Sequence, residues 1–292
     1  MSLSTEIIQN ITGFSLAKYS TWFYYKPDNI LLDAGEGVSV MMRNLIYGIN
    51  SIFISHGHGD HIAGIPGILR SRASSMGDKE KPLTIYYPQG DRSINKLYQY
   101  TKEDVGRLPF PLIWQELSAG DIIELSSSRK IEAIEVHHKE ATLSLGYRII
   151  ESRNKLKEEF RSFSKDQLLE QIRQYGRESL NQPYTKTLLC YSGDTMPLPV
   201  EIMQDAEVVL HDTTFLNIED RDDLTHATID EVFKNAVASN ISVLGLFHFS
   251  TRYKHQEIVA KIQKNIAKYK INFPVYYIFS FANGTTFKKS IN

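Results

Sequence analysis

The chain has 292 residues, a hydrophobic fraction of 42% and 33 Lys and Arg against 34 Asp and Glu, for a formal net charge of −1. That length can bury a substantial core, and the balanced charge argues against a general nucleic-acid-binding module, which carries a basic excess, while leaving room for an enzyme that works on one phosphodiester. The single Cys190 rules out an intrachain disulfide framework, no apolar run is long enough for a bilayer, and the opening MSLSTEIIQN lacks a signal layout, so a cytoplasmic protein is expected.

Taken in chain order, runs rich in β-branched and aromatic residues predict strands at 20–25 and 29–33. A helix follows at 38–46, then a strand at 51–55 and a helix at 64–74. A strand at 83–87 precedes a helix at 91–101, and strands are expected at 122–125, 130–137 and 143–150. The stretch 151–186 changes character. It is rich in Lys, Arg, Glu and Gln, with Leu156, Phe160, Phe163, Leu168, Leu169 and Ile172 at roughly helical spacing, and reads as a helical excursion between two strands. Strands at 187–192 and 208–211, a helix at 228–238, a strand at 243–247, a helix at 255–268 and a strand at 275–279 complete the chain. No repeat or linker divides it, so one domain over 1–292 is expected, with sheets covered by helices.

The densest chemistry lies where the third strand ends, in His56-Gly57-His58-Gly59-Asp60-His61. Two imidazoles two residues apart on an extended turn can aim at one ion. Asp60 and His61, at the start of the next element, can face another. Gly57 and Gly59 are expected to let the backbone bend between them. Four candidate ligands within six residues are not a chance surface cluster, and imidazole with carboxylate suits zinc, with manganese or iron as the other candidates.

This HxHxDH segment after an apolar strand resembles the signature of the metallo-β-lactamase superfamily, whose fold is an αββα sandwich of the α/β class with metals at one sheet edge. Other segments follow in the same order: Leu31-Leu32-Asp33-Ala34-Gly35, Val136-His137-His138, Tyr191-Ser192-Gly193-Asp194-Thr195 and Phe247-His248-Phe249-Ser250. The resemblance implies that His56, His58 and His138 hold one ion and Asp60, His61 and His248 a second, with Asp194 bridging, for two Zn2+ per subunit. His137 competes with His138, because adjacent residues on a regular strand face opposite ways; the family pattern favours His138. Asp33 is expected to shape the loop by hydrogen bonding.

Within that superfamily the chain is similar to ribonuclease Z. The carriers are Gly59-Asp60-His61-Ile62-Ala63-Gly64, Gly146-Tyr147-Arg148, His211-Asp212-Thr213-Thr214-Phe215, Thr225-His226-Ala227-Thr228 and His248-Phe249-Ser250-Thr251-Arg252-Tyr253. The resemblance implies a homodimeric endonuclease removing the 3′ trailer of precursor tRNA. In that chemistry a pair of cations activates water, Asp60 takes its proton, and a positioned acid protonates the departing ribose oxygen. His226 is the expected acid and Asp212 the group that orients it. Arg252 either contacts a phosphate or forms a surface ion pair.

The sequence also departs from that family. Ile11-Thr12-Gly13-Phe14-Ser15-Leu16 stands where a glycine-rich turn belongs. Asp212 is one methylene shorter than the usual glutamate. Two extra residues precede Gly146-Tyr147-Arg148, and 151–186 lacks the Gly-Pro motif of a tRNA-gripping arm, although Lys155, Lys157, Arg161, Arg173 and Arg177 lie within it. A phosphodiesterase acting on small or cyclic phosphodiesters, or related esters, is therefore the alternative reading. A non-catalytic binding protein would have lost ligands, and none is lost here.

Overall fold

The computed structural model describes residues 1–74, 81–104, 108–139, 142–280 and 286–291. Six strands form the first sheet in sequence order: β1 (Ile11–Leu16), β2 (Ser20–Tyr25), β3 (Ile30–Leu32), β4 (Ser51–Phe53), β5 (Leu83–Pro88) and β6 (Leu112–Leu117). The first two pairings are antiparallel and the rest parallel. The second sheet holds β7 (Ile122–Glu124), β8 (Arg129–Lys139), β9 (Thr142–Leu156), β10 (Asn181–Tyr191), β11 (Val208–Asp212), β12 (Leu244–Phe247), β13 (Val275–Ser280) and β14 (Thr286–Ser290), in the order β14-β13-β12-β11-β10-β9-β8-β7. Its centre, β10 through β13, is parallel.

Side-chain alternation explains the layers. On β2, Phe23 and Tyr25 join a core with Phe53, Tyr147, Tyr191, Leu210 and Phe247, drawn from both sheets. Trp22 and Tyr24 point the other way, into a second core. That second core is closed by helices α2 (Val38–Met42), α4 (Ile65–Ala73) and α5 (Arg92–Asp104), through Val38, Ile65, Ile68, Leu69 and Ile94. A third core lies under α8 (Ile229–Ala238) and α9 (His255–Tyr269), which bury Val232, Phe233, Ile258 and Ile262 against the second sheet. A strand buried on both faces has no polar side, which is why residues 22–25 of β2 and 52–53 of β4 read as continuous apolar runs. The result is the expected αββα sandwich. The remaining helices are α1 (Leu3–Gln9), α3 (Gly59–Ile62), α6 (Lys165–Tyr175) and α7 (Val200–Met203). No helix among the described residues is long and apolar enough to cross a membrane.

Several elements differ from the sequence reading. Strands β1 and β6 were not anticipated, because edge strands keep one side wet and mix exposed with buried positions. The helix expected over 38–46 is α-helical only to Met42; Arg43 takes a left-handed φ of 51° and a 3-10 turn, Arg43–Gly48, follows. The excursion over 151–186 is helical only in its middle. Its flanks continue β9 and β10 as a two-stranded ribbon, with Lys186 opposite Glu151 and Asn181 opposite Leu156. Polar residues on both faces hid that ribbon, since backbone pairing and not a buried face defines it. Helix α6 at its tip carries a Ser164–Gln167 capping box and buries no residue.

Candidate metal centre and acid site

Strands β3, β4, β8, β10, β11 and β12 all end at one edge of the sandwich, and each carries a chemically active residue at or just beyond that end. Asp33, just beyond β3 and fully buried, takes a left-handed φ of 56°. Its Oδ1 accepts the Ser55 backbone N–H (2.7 Å), while Oδ2 accepts the Ser55 hydroxyl (2.8 Å), the Tyr191 hydroxyl (2.5 Å) and His61 Nδ1–H (2.8 Å). One carboxylate thus fixes the loop after β4 and the proton of His61. With Nδ1 protonated, His61 Nε2 offers its lone pair to the site.

The same tautomer logic runs through the other imidazoles. His56 Nδ1 meets Ser55 Oγ at 3.0 Å; because that hydroxyl already donates to Asp33, it accepts from His56. His138 Nδ1 donates to the Thr225 carbonyl at 3.0 Å. The remaining nitrogens converge: His56 Nε2 lies 2.9 Å and His138 Nε2 3.3 Å from His58 Nδ1, and His56 Nε2 lies 3.9 Å from Asp194 Oδ2. Burial, joined for His56 by the neighbouring His61, holds the His56 and His138 pKa values below the usual histidine range, so both are neutral donors. His137 faces solvent, and the register of β8 against β9 shifts after Val136. Burial alternates along β8, with Glu135 and His137 exposed and Val136 and His138 buried, so the geometry groups His138 with the other donors and leaves His137 out.

A second group shares Asp194. His61 Nε2 and His248 Nε2 stand 3.3 and 3.2 Å from Asp194 Oδ2, and 3.8 and 3.5 Å from Asp60 Oδ2. Burial would raise the Asp60 carboxyl, but the neighbouring His248 and His61 outweigh it and hold it down at about 2. The Lys18 backbone N–H donates to Asp60 Oδ2 at 3.0 Å. Gly193, at φ 59°, makes the left-handed turn that aims Asp194 inward. The two glycines of the histidine loop act differently from expectation, since neither has positive φ. Gly57 is needed for closeness: a Cβ there would sit 2.3 Å from the Asp91 carboxylate, which accepts the Gly57 N–H at 2.9 Å. Around Gly59 there is open space.

Divalent cations fit this arrangement. His56, His58, His138 and Asp194 form one group whose ligand atoms all lie within 4.8 Å of one another, and Asp60, His61 and His248 another. His61 Nε2, His248 Nε2 and Asp194 Oδ1 are buried without a hydrogen-bond partner. Buried polar atoms left unpaired are costly, and imidazole lone pairs aimed at one another repel; a cation between them resolves both.

Beside these groups lies a cavity of about 330 Å³ lined by Lys18, His58, His138, His226, His248 and Arg252 among others. The buried Asp212 reaches His226 despite its short side chain: Oδ2 lies 2.7 Å from His226 Nδ1 and also accepts the Thr195 N–H at 3.0 Å. Its other oxygen accepts the Thr214 hydroxyl at 2.7 Å. That hydroxyl is a residue the motifs contained but did not single out. Having donated to Asp212, it accepts at 2.9 Å from His248 Nδ1, which leaves His248 Nε2 free for the donor group. Burial alone would lower the His226 pKa; Asp212, with help from Asp194, instead raises it to about 9. With Nδ1 held by Asp212, the Nε2–H of His226 is the proton available to the cavity.

Residues 28–156 match the Beta-lactamase superfamily domain. The chain is 34% identical over 253 residues to ribonuclease Z of Haloarcula marismortui, an alignment covering 77% of this chain and 78% of that one. In fold it is similar to the metallo-β-lactamase fold protein YhfI from Bacillus subtilis, with a TM-score of 0.64 and 14% identity over 96% of this chain and 98% of that one. It is also similar to human short-form tRNase Z, with a TM-score of 0.61 and 19% identity over 83% and 93% of the two chains.

Proposed function

The chain belongs to the ribonuclease Z family, and on that premise we propose that it is a dinuclear zinc endonuclease that removes the 3′ trailer of precursor tRNA. The observation that carries this reading is the meeting, in one cavity, of two donor groups sharing Asp194 with an imidazole whose other nitrogen is held by a buried carboxylate. His56, His58 and His138 would hold one cation and Asp60, His61 and His248 the other, with Asp194 shared by both groups. When bound, the pair supplies a water of lowered pKa and positive charge against the phosphodiester.

The protein's own groups do the remaining work. Asp60, ionised and fixed by the Lys18 N–H, accepts the proton of the attacking water. His226, kept protonated by Asp212, delivers its Nε2 proton to the departing ribose oxygen. The Thr225 carbonyl, bonded to His138, ties the segment that carries this acid to the first donor group. The alternative is a phosphodiesterase that acts on small or cyclic phosphodiesters at the same site. We further propose a cytoplasmic homodimer, in keeping with the family resemblance.

The test is cleavage by zinc-loaded protein of precursor tRNA and, in parallel, of bis(p-nitrophenyl) phosphate, with Asp60→Ala as control. Endonucleolytic release of the trailer, lost in Asp60→Ala, is the expected result. Turnover of the small diester alone, with the precursor left intact, would replace this reading by that of a small-molecule phosphodiesterase. Sedimentation of the purified protein checks the dimer.

A further inference from the structure

Arg252 stands at the cavity mouth, and its surroundings decide what it can bind. Each of its three nitrogens donates to a protein oxygen: Nε to Ser250 Oγ at 3.2 Å, Nη1 to the Asp220 carbonyl at 2.9 Å and Nη2 to the Asp222 carboxylate at 3.3 Å. The guanidinium carbon lies over the Phe215 ring, 5.3 Å from its centre. The edges of the group are therefore tied down and one side rests on an aromatic ring. Yet 43% of the side chain remains exposed, and the residue lines the cavity. Three of the five N–H donors that a phosphate would use are already engaged, and an anion here would meet the carboxylates of Asp222 and Asp223 lining the same cavity. A flat π-system needs only the face.

We propose that the outer face of Arg252, backed by Phe215, is a stacking platform for a nucleobase flanking the scissile phosphate. The assignment rests on the RNA-processing reading above. It replaces the phosphate contact that the sequence left open for this arginine. Phe215 is also 6.2 Å, centre to centre, from the His226 ring, so a base on the platform lies within about one nucleotide of the proposed acid. Stacking on a planar group is tolerant of base identity, which suits an enzyme whose trailers differ in sequence.

The experiment uses zinc-loaded protein and a precursor tRNA whose scissile phosphate is replaced by a non-cleavable phosphonate. A 2-aminopurine is placed at the nucleotide before or after that linkage. Wild-type protein is expected to quench the fluorophore at one of the two positions. Arg252→Lys keeps the charge and removes the plane; it should lose that quenching and weaken binding by about tenfold. Asp222→Ala releases one edge of the guanidinium and should reduce the quenching while amide exchange at Thr225 and His226 stays as in wild type, which separates stacking from collapse of the loop. Retention of quenching and affinity in Arg252→Lys would make Arg252 a loop tie and nothing more. Binding without quenching at either position overturns the platform and leaves the endonuclease reading standing. Failure of wild-type protein to bind the precursor at all overturns both.

Discussion

The metal edge of the sandwich and the ribbon of residues 151–186 are both dense in charge, yet they are built by opposite rules. At the edge, Asp33, His61 and Asp212 are fully buried, and each has its partners chosen by position. In the ribbon, the pairs Arg161–Glu158 and Arg173–Glu170 have every side chain more than half exposed, and α6 buries nothing. Exposed pairs contribute little, because water solvates the separated charges nearly as well. The ribbon is held by its backbone ladder, while the edge is held by side chains that have no alternative partner. One region constrains its sequence residue by residue, and the other constrains only its backbone path.

The sharpest way to break that comparison is to strike the edge. Asp60→Ala, or removal of metal by a chelator, is expected to lower turnover of a phosphodiester by about 10³-fold or more, measured at saturating substrate. His226→Ala should cost about 10²- to 10³-fold in kcat. Asp212→Asn should cost less and move the profile. Asp212 raises the His226 pKa to about 9, so its loss lowers that pKa. The protonated acid then disappears at lower pH, and the alkaline limb of kcat shifts downward. An unmoved limb in Asp212→Asn would separate His226 from the proton transfer.

Asp33→Ala tests the edge through stability. It strands the Tyr191 hydroxyl, the Ser55 donors and His61 Nδ1 in the core and should destabilise the fold by about 3 kcal/mol in denaturant unfolding. A loss below about 1 kcal/mol would mean that the buried network tolerates rearrangement as readily as the ribbon does. The smallest effects are expected in the ribbon itself. Arg161→Ala with Arg173→Ala should leave the melting temperature within about 2 °C of wild type. Replacing residues 158–179 by a short turn should change kcat/KM for bis(p-nitrophenyl) phosphate by less than about twofold. A tenfold fall in that measurement would make the ribbon part of the catalytic half and dissolve the contrast.

What could be read in the sequence follows the same division. The donors cluster at strand ends in short motifs, so their identity was visible from spacing. The Asp212–His226 pair was visible only as two motifs, and the one-methylene deficit left its contact open until β11 and the turn before α8 brought the two to 2.7 Å. The ribbon was misread as helical because charged residues on both faces of a strand carry no period-2 signal.

The sequence by itself determined the ligand types, the alternating buried strands and hence the sandwich, because local spacing and hydrophobic period act through the chain's own geometry. Tertiary structure alone decided which nitrogen of His56, His61, His138 and His248 faces the other donors, through Ser55, Asp33, Thr225 and Thr214, residues lying 1 to 87 positions from the imidazoles they orient. It also brought His138 among the other donors while His137 faces solvent, and set Arg252 over Phe215 with a hydrogen bond from each of its three nitrogens. Hydrogen-bond partners and stacking faces are matters of distance across the fold, and linear spacing does not encode distance.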